Sequence, residues 1–336
     1  EKNFNMIPYV NVYNTTPDAG YNQFLDLPRY SSGYSTLFHT LGFVPETHML
    51  KPYKQRVEAT YAFLESLLEV VAEEGNHIQQ LRDQTKLNIK NQKEFVIDWE
   101  LDKSSSKNIN FKGFEGKLVK SELTGGKRLF YDRNKPFEKP IPFFNKYVPK
   151  TAIEKPKAYL IPKGWHKVID RLKLNEVELQ VLENDTIIEV ESYFIEDYKT
   201  VEKPYEGHYL HFDTKVKKQL KRVPFIKGDY IIYTDQAANR YLVETLEPAA
   251  PDSFFNWNFF DTILQQKEGF SDYVFEDVAL NIIEQDAELK KVFDDKKKSD
   301  SDFAGDPNTQ LNFIYKLSPH YEEAHLLYPV YRLVEK

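Results

Sequence analysis

The chain has 336 residues, 41% hydrophobic and 15% aromatic, which rules out wholesale disorder and supplies core material for two or three structural units. Forty-five Lys and Arg against 52 Asp and Glu leave a net charge of −7, which argues against a dedicated binder of nucleic acid or of an anionic membrane. With no Cys, disulfides, thiolate nucleophiles and Cys-type zinc or iron–sulfur sites are excluded.

No run approaches the roughly 20 apolar residues of a membrane span. Glu1-Lys2-Asn3-Phe4 has no basic segment leading into an apolar one, and a strand-like stretch, residues 7–13, follows almost at once. This pattern reads as a chain that opens at an artificial or processing boundary.

Residues 42–49 read as a short extended segment, with Pro45 favouring an edge or bulge and period two placing Val44, Glu46 and His48 on one face. Pro52 then suits the first turn of a helix whose stripe, Val57, Tyr61, Leu64, Leu68 and Val71, has core-facing spacing. Gly75 reads as its stop, and Asn76 as the cap of a second helix carrying Ile78, Leu81 and Thr85. Short aromatic pieces at 94–101, 116–123 and 128–133 predict strands between loops. Prolines 136, 140, 142, 149 and 156 predict a linker or extended crossing and a soft boundary. Further strands are expected at 157–161, 187–195, 208–214, 230–233 and 240–246, with a helix over 164–174. Helices follow near 253–266, 273–284, 286–297 and 301–316, then an extended piece at 328–333. The expected class is α+β overall, divided into residues 1–93, a β- and loop-rich connection over 94–156, and a β-rich region with a helical end over 157–336.

The phosphate-binding, dinucleotide and serine-hydrolase glycine motifs are absent. Among the eight histidines, His320 and Glu323 form an H-x-x-E, but on a helix His325 points about 140° away from His320, so the run reads as a solvated helix start. His208 and His211, three apart in strand texture, face opposite sides and make a poor metal pair. The basic run at 215–222 reads as a solvated edge or hairpin, and Lys296, Lys297 and Lys298, flanked by aspartates, as a surface turn. Glu46 lies among Phe43, Val44, Met49 and Leu50, so it is expected to be partly desolvated, a setting that suits a general base; pairing with His48 or Lys51 is the plainer alternative.

The stretch Phe24-Leu25-Asp26-Leu27-Pro28-Arg29-Tyr30-Ser31-Ser32-Gly33-Tyr34 is followed by Gly42-Phe43-Val44-Pro45-Glu46-Thr47-His48-Met49-Leu50-Lys51-Pro52-Tyr53. Together with Arg56-Val57-Glu58-Ala59-Thr60-Tyr61 it resembles the end of the catalytic domain of zinc carboxypeptidases, in a bacterial branch with a long C-terminal extension. Later pieces, at 159–165, 204–208 and 251–260, resemble that extension, so the similarity spans nearly the whole chain.

The resemblance implies a partial α/β catalytic-domain remnant over 1–93, a zinc ion in the parent enzyme, a peptide substrate and Glu46 as the base. The family's H-x-x-E ligand pair has no counterpart before Glu46, which implies a missing N-terminal catalytic portion, no zinc bound by this chain and an inert isolated chain. Arg29 and Tyr34 fall where the family places substrate-pocket residues: a guanidinium to grip a peptide carboxylate and a tyrosine to close over it. A secreted or periplasmic setting also follows from the resemblance. A different class of reading makes 158–336 a peptide- or carbohydrate-binding module with Trp165, Tyr205 and Trp257 as its platform, or an assembly domain. A truncated sheet would expose an apolar face and favour self-association.

Overall fold

A computed structural model describes residues 2–13 and 15–334. The fold is α+β, as expected. Residues 2–13 and 15–50 are mostly irregular, with a 3-10 turn at Pro17–Ala19, the two-residue strand β1 (Tyr21–Asn22) and the short helix α1 (Ser31–Leu37).

Helix α2 (Tyr53–Asn91) is one element of 39 residues, about 58 Å at 1.5 Å per residue, rather than two. Gly75 does not stop it. Strong helix formers on both sides outweigh the roughly 1 kcal/mol that one glycine costs. The expected strand at 42–49 is also absent: the segment is exposed except for Thr47, which is half-buried, and no strand lies beside it. Alternation without a pairing partner does not make a strand.

Strand β2 (Glu94–Leu101) matches its expected span. Next come β3 (Lys107–Lys120) and β4 (Lys127–Phe144), a long antiparallel hairpin, and β5 (Tyr147–Glu154), which pairs with β2. Four of the five prolines expected to mark a linker lie inside these strands; Pro156 alone falls in the connection that follows β5. Pro136, Pro140 and Pro142 in β4 sit opposite Phe114, Asn110 and Asn108, and β4 has a second neighbour, β1, only at Phe143 and Phe144. Its other edge is open where the prolines fall, so few ladder bonds are forfeited. Pro149 likewise lies in a two-stranded sheet.

The C-terminal region is built on a six-stranded antiparallel sheet. Its members are β6 (Ala158–Ile161), β7 (Gln180–Val181), β8 (Thr186–Thr200), β9 (His211–Phe225), β10 (Tyr230–Tyr233) and β11 (Tyr331–Leu333), in the order β7-β10-β6-β11-β8-β9. The central strand β6 is buried on both faces: Tyr159 and Ile161 join the main core, Ala158 and Leu160 a second one. Edge strand β9 carries the basic run, whose lysines protect an open edge as expected.

Helix α3 (His166–Leu174) packs on the sheet. The expected strand at 240–246 is instead the helix α4 (Asn239–Leu246), in which every residue but Arg240 is buried. A short continuous apolar run does not distinguish a buried strand from a buried helix. The expected helix at 253–266 is a series of turns ending in a 3-10 turn at Asp261–Leu264. Side-chain bonds hold it in that form: Ser253 Oγ accepts from Asn256 N (3.1 Å), and Asn256 Nδ2 donates to Ala250 O (2.8 Å).

Helices α5 (Asp272–Gln285), α6 (Ala287–Ser299), α7 (Ser301–Gly305) and α8 (Pro307–Lys316) follow, before the chain returns to the sheet as β11. Asp286, Asp300 and Asp306 each cap the helix that follows, and Pro307 at the start of α8 splits the single helix expected at 301–316. The Lys296, Lys297 and Lys298 cluster is the last turn of α6, where it complements the helix dipole, rather than a surface turn.

Candidate functional site

The segment leading to Glu46 is fastened to the C-terminal region at its upstream end and free at its downstream end. Arg29 Nε donates to Asp252 Oδ1 (2.8 Å), Arg29 N to Asp252 Oδ2 (2.9 Å) and Arg29 Nη2 to Pro251 O (3.3 Å). The guanidinium lies 5.8 Å from the Trp257 ring and 5.9 Å from the Tyr205 ring, and Trp257 Nε1 donates to Asp252 Oδ1 (2.9 Å). Asp252 is almost fully buried, its side chain 3% exposed. Arg29 thus spends its charge on a carboxylate of its own chain, and the planar fork it would offer a peptide carboxylate is already filled.

Helix α1 continues the attachment. Gly33 packs against the 26–27 backbone so closely that a Cβ there would lie 2.1 Å from Leu27 O, which makes glycine the fitting residue. Leu37 is buried in the main core beside α4, and Phe38 packs on Tyr241 at 5.5 Å. The Tyr34 hydroxyl bonds Asn175 Oδ1, its ring half-exposed. His39, in the left-handed region at φ 57°, ends the turn: its Nε2 lies 3.1 Å from Ala237 O and its carbonyl accepts from Arg82 Nε (3.0 Å).

Beyond residue 40 the contacts thin out. Glu46 is exposed and not desolvated, contrary to expectation, and among the described residues no ion pair includes it. His48 does not meet it; its Nδ1 accepts from Leu50 N (3.2 Å). Phe43 contacts Phe63 of α2 at 6.1 Å, while Val44, Met49 and Leu50 face solvent. The α2 stripe expected to face a core is exposed as well: Val57, Tyr61, Leu64, Leu68 and Val71 are 47–70% accessible, and Ala62 alone in the helix is buried. The C-terminal end of α2 is docked, with the Ile89 and Lys90 carbonyls accepting from Asn239 Nδ2 (3.3 and 3.4 Å).

The structure does not assemble the histidine candidates. His320 and His325 lie in turns rather than on a helix; His320 meets the Phe275 ring edge-on at 6.5 Å, and His325 Nδ1 bonds the Tyr321 hydroxyl. His208 stacks on Phe259 and lies 5.3 Å from Trp257. His211 is buried, its Nδ1 2.9 Å from Thr200 Oγ1 and its Nε2 3.1 Å from Asp261 Oδ1. The aromatic platform is taken up internally: Trp257 and Tyr205 embrace Arg29, and Trp165 packs on Phe260 at 4.9 Å.

One buried ionisable cluster carries no signal in the local sequence. Arg332, 2% exposed, pairs with Glu191, places Nε 3.1 Å from Glu247 Oε1 and donates to Glu154 O. Tyr159 donates to the same Glu247 oxygen at 2.7 Å, and Tyr328 to Leu246 O at 2.8 Å. Burial, reinforced by Glu247, raises the Tyr159, Tyr193 and Tyr328 hydroxyls above the ordinary phenol range. This cluster ties β6, β8, β11 and the end of α4 together inside the core. In α4 itself, burial pushes Glu244 up to about 7 despite its partner Arg240. No local motif marks these residues, because their partners are up to 178 positions away.

No protein-family model, no curated protein and no solved structure matches the chain.

Proposed function

We propose that this chain is the C-terminal portion of a zinc-dependent, carboxypeptidase-like peptide hydrolase, with Glu46 as the general base toward the attacking water. Beside the sequence resemblance, one observation carries the reading: the apolar stripe of α2, next to the Glu46 segment, lies open to solvent over four turns. Five large side chains at core spacing have the composition of an interior face, and large exposed apolar patches mark contact surfaces. The occupant in this reading is the upstream catalytic portion, whose packing would also take water away from Glu46.

Among the described residues no three His, Asp or Glu side chains gather where they could hold a metal. In this reading the zinc is held upstream, as the resemblance implies; when bound, it supplies a polarised water and a Lewis acid for the peptide carbonyl. Arg29 and Tyr34 act indirectly, setting the path of the substrate-side loop through Asp252 and Asn175.

The test is release of C-terminal residues from peptides by the full-length gene product and by its Glu46→Gln variant. Loss of roughly 10²- to 10⁴-fold in the variant is expected for a general base. Unchanged hydrolysis in Glu46→Gln, or no hydrolysis by the unaltered protein with zinc supplied, would remove the proposal.

A further inference from the structure

The charge of −7 averages over a strong local separation. Residues 107–144, the β3–β4 hairpin, hold nine Lys and Arg against four Asp and Glu. Below the tip three of the five basic residues are paired, Lys112 with Glu138, Lys135 with Glu115 and Lys139 with Asp18, while Lys107 and Arg133 are in no ion pair among the described residues. Toward the tip none is paired. Over 117–130 the count is four basic residues, Lys117, Lys120, Lys127 and Arg128, to one acidic residue, Glu122, and among the described residues none of the five is in an ion pair.

The register sharpens this. Lys120 lies directly opposite Lys127, an arrangement that costs stability unless something anionic lies against it. On the same face the next facing pair is Leu118 with Leu129, and Leu118 is 60% exposed. The turn joining the strands is closed: Ser121 N donates to Gly126 O (2.7 Å), Gly125 N to Ser121 O (2.9 Å) and Thr124 N to Ser121 Oγ (3.1 Å), with Gly125 at φ +72°. It holds Leu123 outward at 94% exposure, the highest among the exposed large apolar residues.

A rigid arm with a protruding leucine at its end and a collar of unpaired cations behind it has the chemistry of a membrane-surface anchor: the leucine enters the acyl boundary while the cations meet anionic headgroups. We infer that the β3–β4 tip docks on an anionic lipid bilayer, with Leu123 inserted and Lys117, Lys120, Lys127 and Arg128 against the headgroups. A soluble polyanion would satisfy the lysines but leave Leu123 in water. The inference is independent of any peptidase activity.

The test is flotation of this chain with phosphatidylglycerol-containing vesicles and with phosphatidylcholine vesicles, at low and at high salt. The expected result is at least tenfold more protein on the anionic vesicles at low salt, most of it released as salt shortens the screening length. Lys120→Glu with Lys127→Glu should abolish the difference, and Leu123→Asp should reduce binding several-fold. Far-ultraviolet circular dichroism identical to that of the unaltered chain guards against misfolding. Equal binding to both vesicle types, binding untouched by the tip variants, or capture of dextran sulfate without vesicle flotation would each overturn the inference.

Discussion

Two helices with similar apolar lettering behave in opposite ways. Helix α4 has eight residues and buries seven of them between the main core and the β2–β5 sheet, whereas α2 has 39 and buries one. Periodicity reports that a face is apolar; it does not report whether anything covers it. In α4 the cover comes from the same chain, through Phe95 and Ile97 on one side and Tyr159 and Phe255 on the other. In α2 the stripe has no such cover, and the proposed function assigns one from outside.

The largest effect that would break this comparison concerns the buried ion cluster under α4. Arg332→Leu leaves the buried Glu247 without its cation and Glu191 with only Lys218 at 3.6 Å, and is expected to cost about 3–5 kcal/mol in urea unfolding; a cost under about 1 kcal/mol would show that the cluster does not hold the sheet. Next, Leu242→Ala should cost about 2–5 kcal/mol, and Leu64→Ala in the same chain less than about 0.5 kcal/mol, because Leu242 is fully buried and Leu64 is half exposed. Equal costs would mean that α2 is covered in solution, for instance by a second copy, which light scattering would reveal.

Glu244 gives the pH-dependent prediction. A carboxyl whose folded-state pKa lies above its unfolded one contributes stability below the unfolded value that is lost as pH rises through the folded value. For Glu244 the window runs from about 4.5 to about 7. At roughly 1.4 kcal/mol per pH unit of difference, about 3 kcal/mol should disappear across it. Glu244→Gln should remove that component, seen as unfolding midpoints at pH 5 and pH 8 that lie closer together than in the unaltered chain. A smaller effect of opposite sign is expected at Gly75, where a Cβ meets nothing within 4 Å: Gly75→Ala should stabilise the middle of α2 by about 0.5–1 kcal/mol.

What was legible in the sequence follows the same division. Strands β2 and β6 and helices α3, α5 and α6 fell close to their expected spans, because their apolar residues repeat at the right period between clear stops. The misreadings share a cause, which is tertiary context. Gly75 reads as a stop only if its neighbours are weak helix formers. The β4 prolines read as a linker unless one knows that the strand's other edge is open. Residues 240–246 hold a compact apolar run, Tyr241-Leu242-Val243, that reads equally as a strand, and only its packing on two sides shows it to be helical. At the site, Glu46, Arg29 and Tyr34 were visible as residue types in a pattern, but Asp252 as the partner of Arg29 was not, since 223 positions separate them. The unpaired cations of the β3–β4 tip were hidden in the chain-wide charge sum.

The most direct measurement is bound zinc per chain, by elemental analysis after incubation with zinc and removal of the excess, on this chain and on the full-length gene product. The proposed function predicts a ratio near zero for this chain and near one for the full-length product. A ratio near one for this chain, or near zero for both, would contradict it.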